Sequence, residues 1–320
     1  MDNKTGFMIV MIGILRREFP AVEICGCAPG GMDMGLKKIG IIANTDKKDA
    51  VECTLELRGW LMRRGVEVVL EEEIARATGM TGGIPGKDLP AAVELIAVLG
   101  GDGTLLSAAR TVAGHEVPLM GINLGGFGFM TVINLNEMFP AMEEILKGRF
   151  RTSKRMMLEI GLPGAQAEKP VPPALNDVVI NRGNLSRMIH METFVDDRYL
   201  ATFKADGLVL ATPTGSTAYS LSAGGPIVFP ELQSIILNPI CPHTLTNRPM
   251  MLPPDAAIRV VLWTKEECAT LTIDGQISHV IRSGEAIEVR KSKTLIHLVD
   301  SPSRSYLEVV RTKLGWGGLH

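Results

Sequence analysis

The apolar residues of this chain fall into two different rhythms. In the first, Ile39–Ala43, Val66–Leu70, Leu95–Leu99 and Pro118–Ile122 are short, largely apolar runs, each read as a buried strand. Between them, Val51–Arg64 carries Leu55, Trp60 and Leu61 in a helical stretch that Gly65 can cap. Thr104–Val112 and Asn136–Lys147 read as further helices. Pro140 fits the latter only in or near its first turn, because proline lacks a donor and crowds the preceding turn. Strands alternating with helices predict a parallel sheet with helices on its faces.

After Gly148 the rhythm changes. Met156–Ile160, Asp177–Asn181, Met188–Val195 and Arg198–Lys204 are strand-like, and Asp196-Asp197 supplies a hairpin turn. Leu271–Ile273, Ala286–Val289 and Leu295–Val299 continue the series. Residues 37–150 are therefore expected to form an α/β domain and residues 151–320 a β-rich one, whose last strands are free to return to the first domain. No internal repeat separates them.

The N-terminus stands apart. Phe7–Leu15 is apolar for nine residues, the length of a signal-peptide core and too short for a membrane span. Its flanks do not suit a leader: Asp2 and Lys4 precede it, and Arg16, Arg17 and Glu18 follow. The first convincing strand starts at Ile39. Residues 1–36 are expected to be an extension outside the fold, with Met34 a candidate true start.

Composition narrows the function classes. At ~150 residues per domain, 320 residues suggest two domains. The 46% hydrophobic and 21% charged content excludes a largely disordered chain. Lys+Arg number 33 against 35 Asp+Glu, so the strong positive field of broad nucleic-acid binding is missing. No apolar run approaches the ~20 residues of a spanning helix, so no membrane association is expected. The five cysteines are odd in number and irregularly spaced, which points away from a disulfide framework and toward the cytoplasm. Cys241-x-His243 would be half a zinc site, but no second half follows.

Three glycine-rich segments carry the candidate chemistry. Gly100-Gly-Asp-Gly-Thr104 falls between a strand and a helix, where backbone N–H groups and the positive helix end converge on one spot. Phosphate binding follows, yet Asp102 would repel phosphate. It makes sense if it orients a hydroxyl nucleophile or reaches a metal ion; a tight turn with an Asp cap is the plain alternative. Gly121–Phe129 also follows a strand and holds four glycines, with Phe127 and Phe129 equally suited to core packing. Ala211–Pro226 is rich in hydroxyls and glycines, able to hydrogen-bond sugars and phosphates while Tyr219 stacks on a base, or to be a surface loop. Asn176-Asp177 and Lys204-x-Asp206-Gly207 sit at strand ends, where polar residues usually mark turns. Two familiar phosphate loops are excluded. Gly86-Lys87 is followed by Asp88 rather than Ser or Thr, and no G-x-G-x-x-G follows the first strand.

In order along the chain, these segments resemble the NAD kinase family. Gly100–Thr104 is similar to its first signature and Leu175–Val179 to its Asn-Glu/Asp motif. Asp206–Pro226 resembles its long glycine-rich signature, and Pro239–Pro249, Asp274-Gly-Gln276 and Arg311–Gly317 resemble further family segments. The likeness runs from about Lys37 to Gly317. GGDGT alone is shared with lipid kinases and, with Ser for Thr, phosphofructokinases; the long signature is far more specific. There are two departures. Phe127 stands where an aliphatic residue is usual, and Asp177 is the shorter acid that the motif permits.

The resemblance implies a Rossmann-like, phosphofructokinase-like α/β domain with a β-rich second domain. It implies transfer of the γ-phosphoryl group of ATP to the 2′-hydroxyl of the adenosine ribose of NAD, giving NADP. ATP or polyphosphate would be the donor, and a divalent cation, Mg²⁺ by family habit, the cofactor. It implies a homodimer or homotetramer as well. Asp102 matches the proton acceptor and, with Gly103, would meet the ribose and phosphates. Asn176 and Asp177 would hold adenosine or ribose groups. Arg187 and Lys204 would bring charge to the diphosphate or to a neighbouring subunit's ligand. Asp206 would accept from ribose or carboxamide. Thr217, Ala218, Tyr219, Ser220, Leu221 and Ser222 would wrap the nucleotide, and Gln276 would complete the pocket, with His243 a further candidate. The rivals are a lipid or sugar kinase on the same loop and a non-catalytic NAD-binding regulator. A carboxylate among phosphates argues against the second.

Overall fold

The computed structural model describes residues 35–126, 128–162, 171–182, 188–244, 246–265 and 268–316. The expected extension falls almost wholly outside them, as do Phe127 and Arg187.

The first half alternates as its pattern predicts. β1 (Lys38–Ala43), α1 (Ala50–Met62), β2 (Glu67–Leu70), α2 (Glu72–Ala77) and α3 (Leu89–Ala92) lead to β3 (Leu95–Gly100). Then come α4 (Asp102–Val112), β4 (Leu119–Asn123), β5 (Ile133–Asn134) and α5 (Leu135–Leu146). The strands pair in parallel in the order β2-β1-β3-β4. β3 is apolar throughout because helices cover both of its faces. Leu95, Ala97 and Leu99 pack with Leu57 and Leu61 of α1, while Ile96 and Val98 pack with Leu105 and Ala109 of α4. Strand period sends successive residues to opposite sides.

The second half builds a sandwich. Its strands are β6 (Thr152–Gly161), β7 (Asp177–Asn181), β8 (Ile189–Val195), β9 (Arg198–Ala205) and β10 (Gly207–Ala211). After the short helix α6 (Tyr219–Ser222) come β11 (Ile235–Ile240), β12 (Met250–Leu252), β13 (Ile258–Trp263), β14 (Cys268–Ile273), β15 (Ile277–Arg282) and β16 (Ala286–Val299). α7 (Tyr306–Leu314) follows them. An antiparallel sheet runs β12-β11-β10-β7-β14-β15. Its inner face, with Val178, Leu208, Leu237 and Leu271, packs against Leu158, Met191, Val260 and Val289 of the other sheet.

That other sheet is the continuation of the parallel one. β16 pairs with β6, β13 and, at Leu298 opposite Leu119, with β4. The two runs read separately, Ala286–Val289 and Leu295–Val299, are one strand whose register with β6 shifts between Lys291 and Leu295. A bulge bends a strand and raises its twist, which lets one strand in the middle of the ten-stranded sheet join the parallel half to the antiparallel half. α7 is fixed by a Ser305/Glu308 capping box and ends at Gly315, φ 65°.

Some details differ from expectation. Pro140 is inside α5 and not in its first turn; the capping box of Asn134 and Glu137 starts the helix at Leu135. Asp196 and Asp197 take φ 50° and 61°, as a primed hairpin turn requires. Gly207, opposite Asn181, has no room for a side chain: a Cβ there would collide with the Ile180 carbonyl. Gly207→Ala should therefore cost about 1–3 kcal/mol, as overpacking does, and lower Tm by roughly 3 to 10 °C in scanning calorimetry.

Candidate functional site

The site starts where β3 ends. Gly100 is buried against Thr104, which leaves no space for a Cβ, and extended Gly101 caps α4. The first turn of a helix has N–H groups without helical acceptors, so this end is electropositive. Asp102, its first residue, does not point freely outward. Its Oδ2 accepts from Phe129 N–H at 2.8 Å, and its Oδ1 from Met130 N–H (3.1 Å), Thr131 N–H (2.9 Å) and Thr131 Oγ1 (2.9 Å). Asn123 holds the same loop from below: Nδ2 donates to Thr131 Oγ1 and Oδ1 accepts from Gly125 N–H. Gly128 passes so close to Asp102 that a Cβ would strike the carboxylate. The first two glycine-rich segments are thus one structure, tied through Asp102.

A second aspartate organises the other side. Asp274 and Gly275 form the β14–β15 turn with φ 50° and 63°. The Asp274 side chain is wholly buried and accepts from Leu175 N–H (3.1 Å), Asn176 N–H (2.7 Å) and Asp177 N–H (3.2 Å). Arg110 Nη1 lies 3.5 Å from its Oδ2. Burial pushes the Asp274 carboxyl above its usual range, and the three N–H groups and Arg110 pull it back. Asp177 is raised further, to about 7, by burial and by the charge of Asp274, against one hydrogen bond from Tyr219 N–H. The Asn176 carbonyl accepts from Thr212 N–H, and its Oδ1 is buried without a partner among the described residues. Gly215 packs directly on the Asn176 backbone, leaving no room for a Cβ.

Two clefts flank this pair of aspartates. One, of about 590 Å³, opens at the C-terminal ends of β1 and β3 and is lined by Asn44, Thr45, Lys47, Gly101, Gly103 and Gln276 among others, with Glu71 and Glu73 also on its wall. The other, of about 350 Å³, is lined by Asn176, Asp177, Ala218, Tyr219, Thr272 and Asp274 among others. Gln276 Nε2 donates to the Gly103 carbonyl at 2.8 Å, and Arg110 Nη2 donates to Gln276 Oε1.

The other expected residues divide. Tyr219 is 47% exposed at the rim of the smaller cleft, with Ala218 beside it. Ser220 is buried beneath it, its carbonyl accepting from Asn238 Nδ2 at 3.0 Å. Thr217 Oγ1 donates to the Thr214 carbonyl, while Leu221 and Ser222 continue α6 on neither cleft's wall. Asp206 pairs with Arg182 at 3.3 Å beyond the Asn181 end of β7. Exposed Lys204, on β9, is also off both walls; its carbonyl accepts from His243 N–H. Arg187 lies outside the described residues. Arg110 and Asp274 were not among the expected site residues. Asp274 carried a signal, the Asp-Gly turn; Arg110, late in a helix, carried none.

Among the described residues, no group of three or more His, Cys, Asp or Glu side chains converges to hold a metal ion.

Residues 86–150 match the model of the ATP-NAD kinase N-terminal domain and residues 175–301 that of the ATP-NAD kinase C-terminal domain. The NAD kinase of Syntrophotalea carbinolica is 48% identical over 288 residues, covering 88% of this chain and 99% of its own. That of Geotalea daltonii is 47% identical over 282 residues, with the same coverage. The crystal structure of yeast NADH kinase complexed with NADH superposes with a TM-score of 0.82 at 26% identity, covering 90% of this chain and 89% of that one. With both family domains matched around the two aspartate-held loops, the chain belongs to the ATP-NAD kinase family.

Proposed function

We propose that this protein transfers the γ-phosphoryl group of ATP to the 2′-hydroxyl of the adenosine ribose of NAD, making NADP. One observation carries the reading most directly. The electropositive end of α4 opens on one cleft through Gly101 and Gly103, with the Asp102 carboxylate between them held by the 129–131 backbone, and Asn176, Asp177 and an exposed tyrosine line the next. The first suits phosphates and the second suits a nucleoside.

In the reaction, the ribose 2′-oxygen forms a bond to the γ-phosphorus. The bond to the bridging oxygen breaks and ADP leaves. The hydroxyl proton passes to Asp102. An ordinary carboxylate is a weak base for an alcohol, so transfer comes late, as the O–P bond forms in a loose transition state. Asp102 then does two jobs: its N–H contacts fix the loop and its remaining lone-pair capacity orients the hydroxyl. Gly103 and Gln276 border the phosphates. Asn176 and Asp177 hold the adenosine ribose, with Ala218 and Tyr219 against the base. Thr217, Ser220, Leu221 and Ser222 shape that segment. Asp206, Lys204 and Arg187 serve the far end of the dinucleotide, across a subunit boundary in a homodimer or homotetramer. A divalent cation such as Mg²⁺, which takes few protein ligands, would be held mainly by the nucleotide's own phosphates and would offset their charge. No described helix is long and apolar enough to cross a membrane. Cys53, Cys241 and Cys268 are unpaired, in keeping with a cytoplasmic site of action.

Purified protein with ATP, Mg²⁺ and NAD should yield NADP, detected by an NADP-specific dehydrogenase. Phosphorylation of a lipid or sugar without NADP would overturn the reading, and polyphosphate in place of ATP tests the donor. Asp102→Asn should lower turnover by about 10²-fold or more while NAD still binds.

Asp177 gives a pH signature. Its carboxyl ionises near 3.8 in the unfolded chain and only near 7 when folded. As pH rises, the unfolded state loses this proton first, so the buried carboxyl destabilises the fold increasingly across that window and fully above it. Asp177→Asn should raise Tm at about pH 8 and change it little near pH 4. It should also weaken NAD binding at about pH 8, where the ionised acid is a stronger acceptor than an amide for the other ribose hydroxyl; calorimetric titration measures this.

A further inference from the structure

Arg110 lies on α4 eight residues beyond Asp102, about 12 Å along the axis, at no place where the chemistry itself needs a cation. Its side chain is only 13% exposed, although arginine is rarely buried without a dedicated partner. Helical side chains lean toward the N-terminus, and this one reaches both Gln276 and Asp274 across the gap between α4 and the β14–β15 turn. Each partner holds one half of the site. Gln276 hydrogen-bonds Gly103, in the first turn of α4 on the phosphate side. Asp274 gathers the N–H groups of Leu175, Asn176 and Asp177 on the ribose side.

We propose that Arg110 is a positioning residue for phosphoryl transfer, keeping the first turn of its own helix, Asp102–Gly103, in register with the Asn176–Asp177 motif through Gln276 and Asp274. This rests on the kinase reading and adds a residue to it. The guanidinium touches both partners: Nη2 donates to Gln276, while Nη1, without a hydrogen-bond partner among the described residues, lies 3.5 Å from Asp274 as an ion pair. Without it, the Asp274 carboxylate would be buried with no countercharge, a costly arrangement that relaxes by protonation or by movement of the turn. Either change alters how the 175–177 backbone is held. In-line transfer tolerates little misalignment: a displacement of ~1 Å can cost ~10²-fold in rate. The ribose half-site is displaced rather than dismantled, because all three N–H groups keep Asp274 as their acceptor, so the loss falls on kcat more than on NAD affinity.

Arg110→Gln and Arg110→Lys in the full chain test this, with kcat and KM for NAD, NAD affinity by calorimetry, and Tm. Arg110→Gln should lower kcat at least about tenfold while NAD affinity stays within about threefold. Arg110→Lys should recover part of the loss, because an ammonium restores charge beside Asp274 but cannot fork to Gln276. Unchanged kcat in Arg110→Gln, or a rise in KM alone, would overturn the proposal. If Arg110→Gln fails to fold, Arg110→Lys decides: wild-type kcat overturns the proposal and a several-fold loss supports it. Absence of NADP formation by the wild-type chain would remove the kinase reading itself, and this inference with it.

Discussion

The carboxylate of Asp274 has no exposed surface, yet it accepts from three consecutive backbone N–H groups, those of Leu175, Asn176 and Asp177. Those groups precede and open β7, where the sheet ladder does not yet satisfy them all. Buried N–H groups without partners would each cost on the order of 1–3 kcal/mol. Asp274 serves all three at once, and they in turn stabilise its charge. The Asn176–Asp177 motif gets its position from this exchange, because the Asn176 carbonyl is held as well, by Thr212 and by contact with Gly215.

The same device appears across the site. Asp102 gathers the N–H groups of Phe129, Met130 and Thr131, again three in a row, and fixes a glycine-rich loop that has little structure of its own. Gly128 and Gly215 allow the backbone to come close at the two places. Each half of the site is therefore an aspartate closing around irregular backbone, placed at the end of a strand that the core immobilises. Rigid strands with chemistry in their connections are a general solution to catalytic precision. Here the connections are themselves made rigid by the carboxylates.

Much of this was legible before the fold was known, because the parallel half is built from local rules. Alternation of apolar runs and helices placed β3 and α4, and the glycines between them placed the electropositive helix end. The β-rich half was legible only in part. β10 is a buried apolar strand inside a segment that reads as a signature, and β11, β13 and β15 are short pieces without clean alternation. β16 read as two strands because its bulge interrupts the pattern. Pairing between residues far apart in sequence decides these elements, and period alone does not report it. The double use of Asp102 was hidden for the same reason. Its loop partners lie 27 to 29 residues away. Arg110 was hidden because a cation near a helix C-terminus is the expected partner of the helix dipole and needs no other reason to exist.

Placing Asp177 beside Asp274 sets up a conflict that the fold leaves standing. Two carboxyls are removed from water, and the charge of Asp274 makes Asp177 harder still to ionise. Asp274 is compensated by three N–H groups and Arg110; Asp177 has the Tyr219 N–H alone. The charge is thus supported at the residue that shapes the motif and left under-supported at its neighbour Asp177, on the wall of the same cleft. A carboxylate in that condition gains from any donor that enters, and ribose hydroxyls are such donors. On the proposed reading, the cost of this buried charge and its pull on a ribose are the same electrostatic fact, which is why an apolar or amide replacement at Asp177 would relieve the fold by removing the acceptor proposed to hold the sugar.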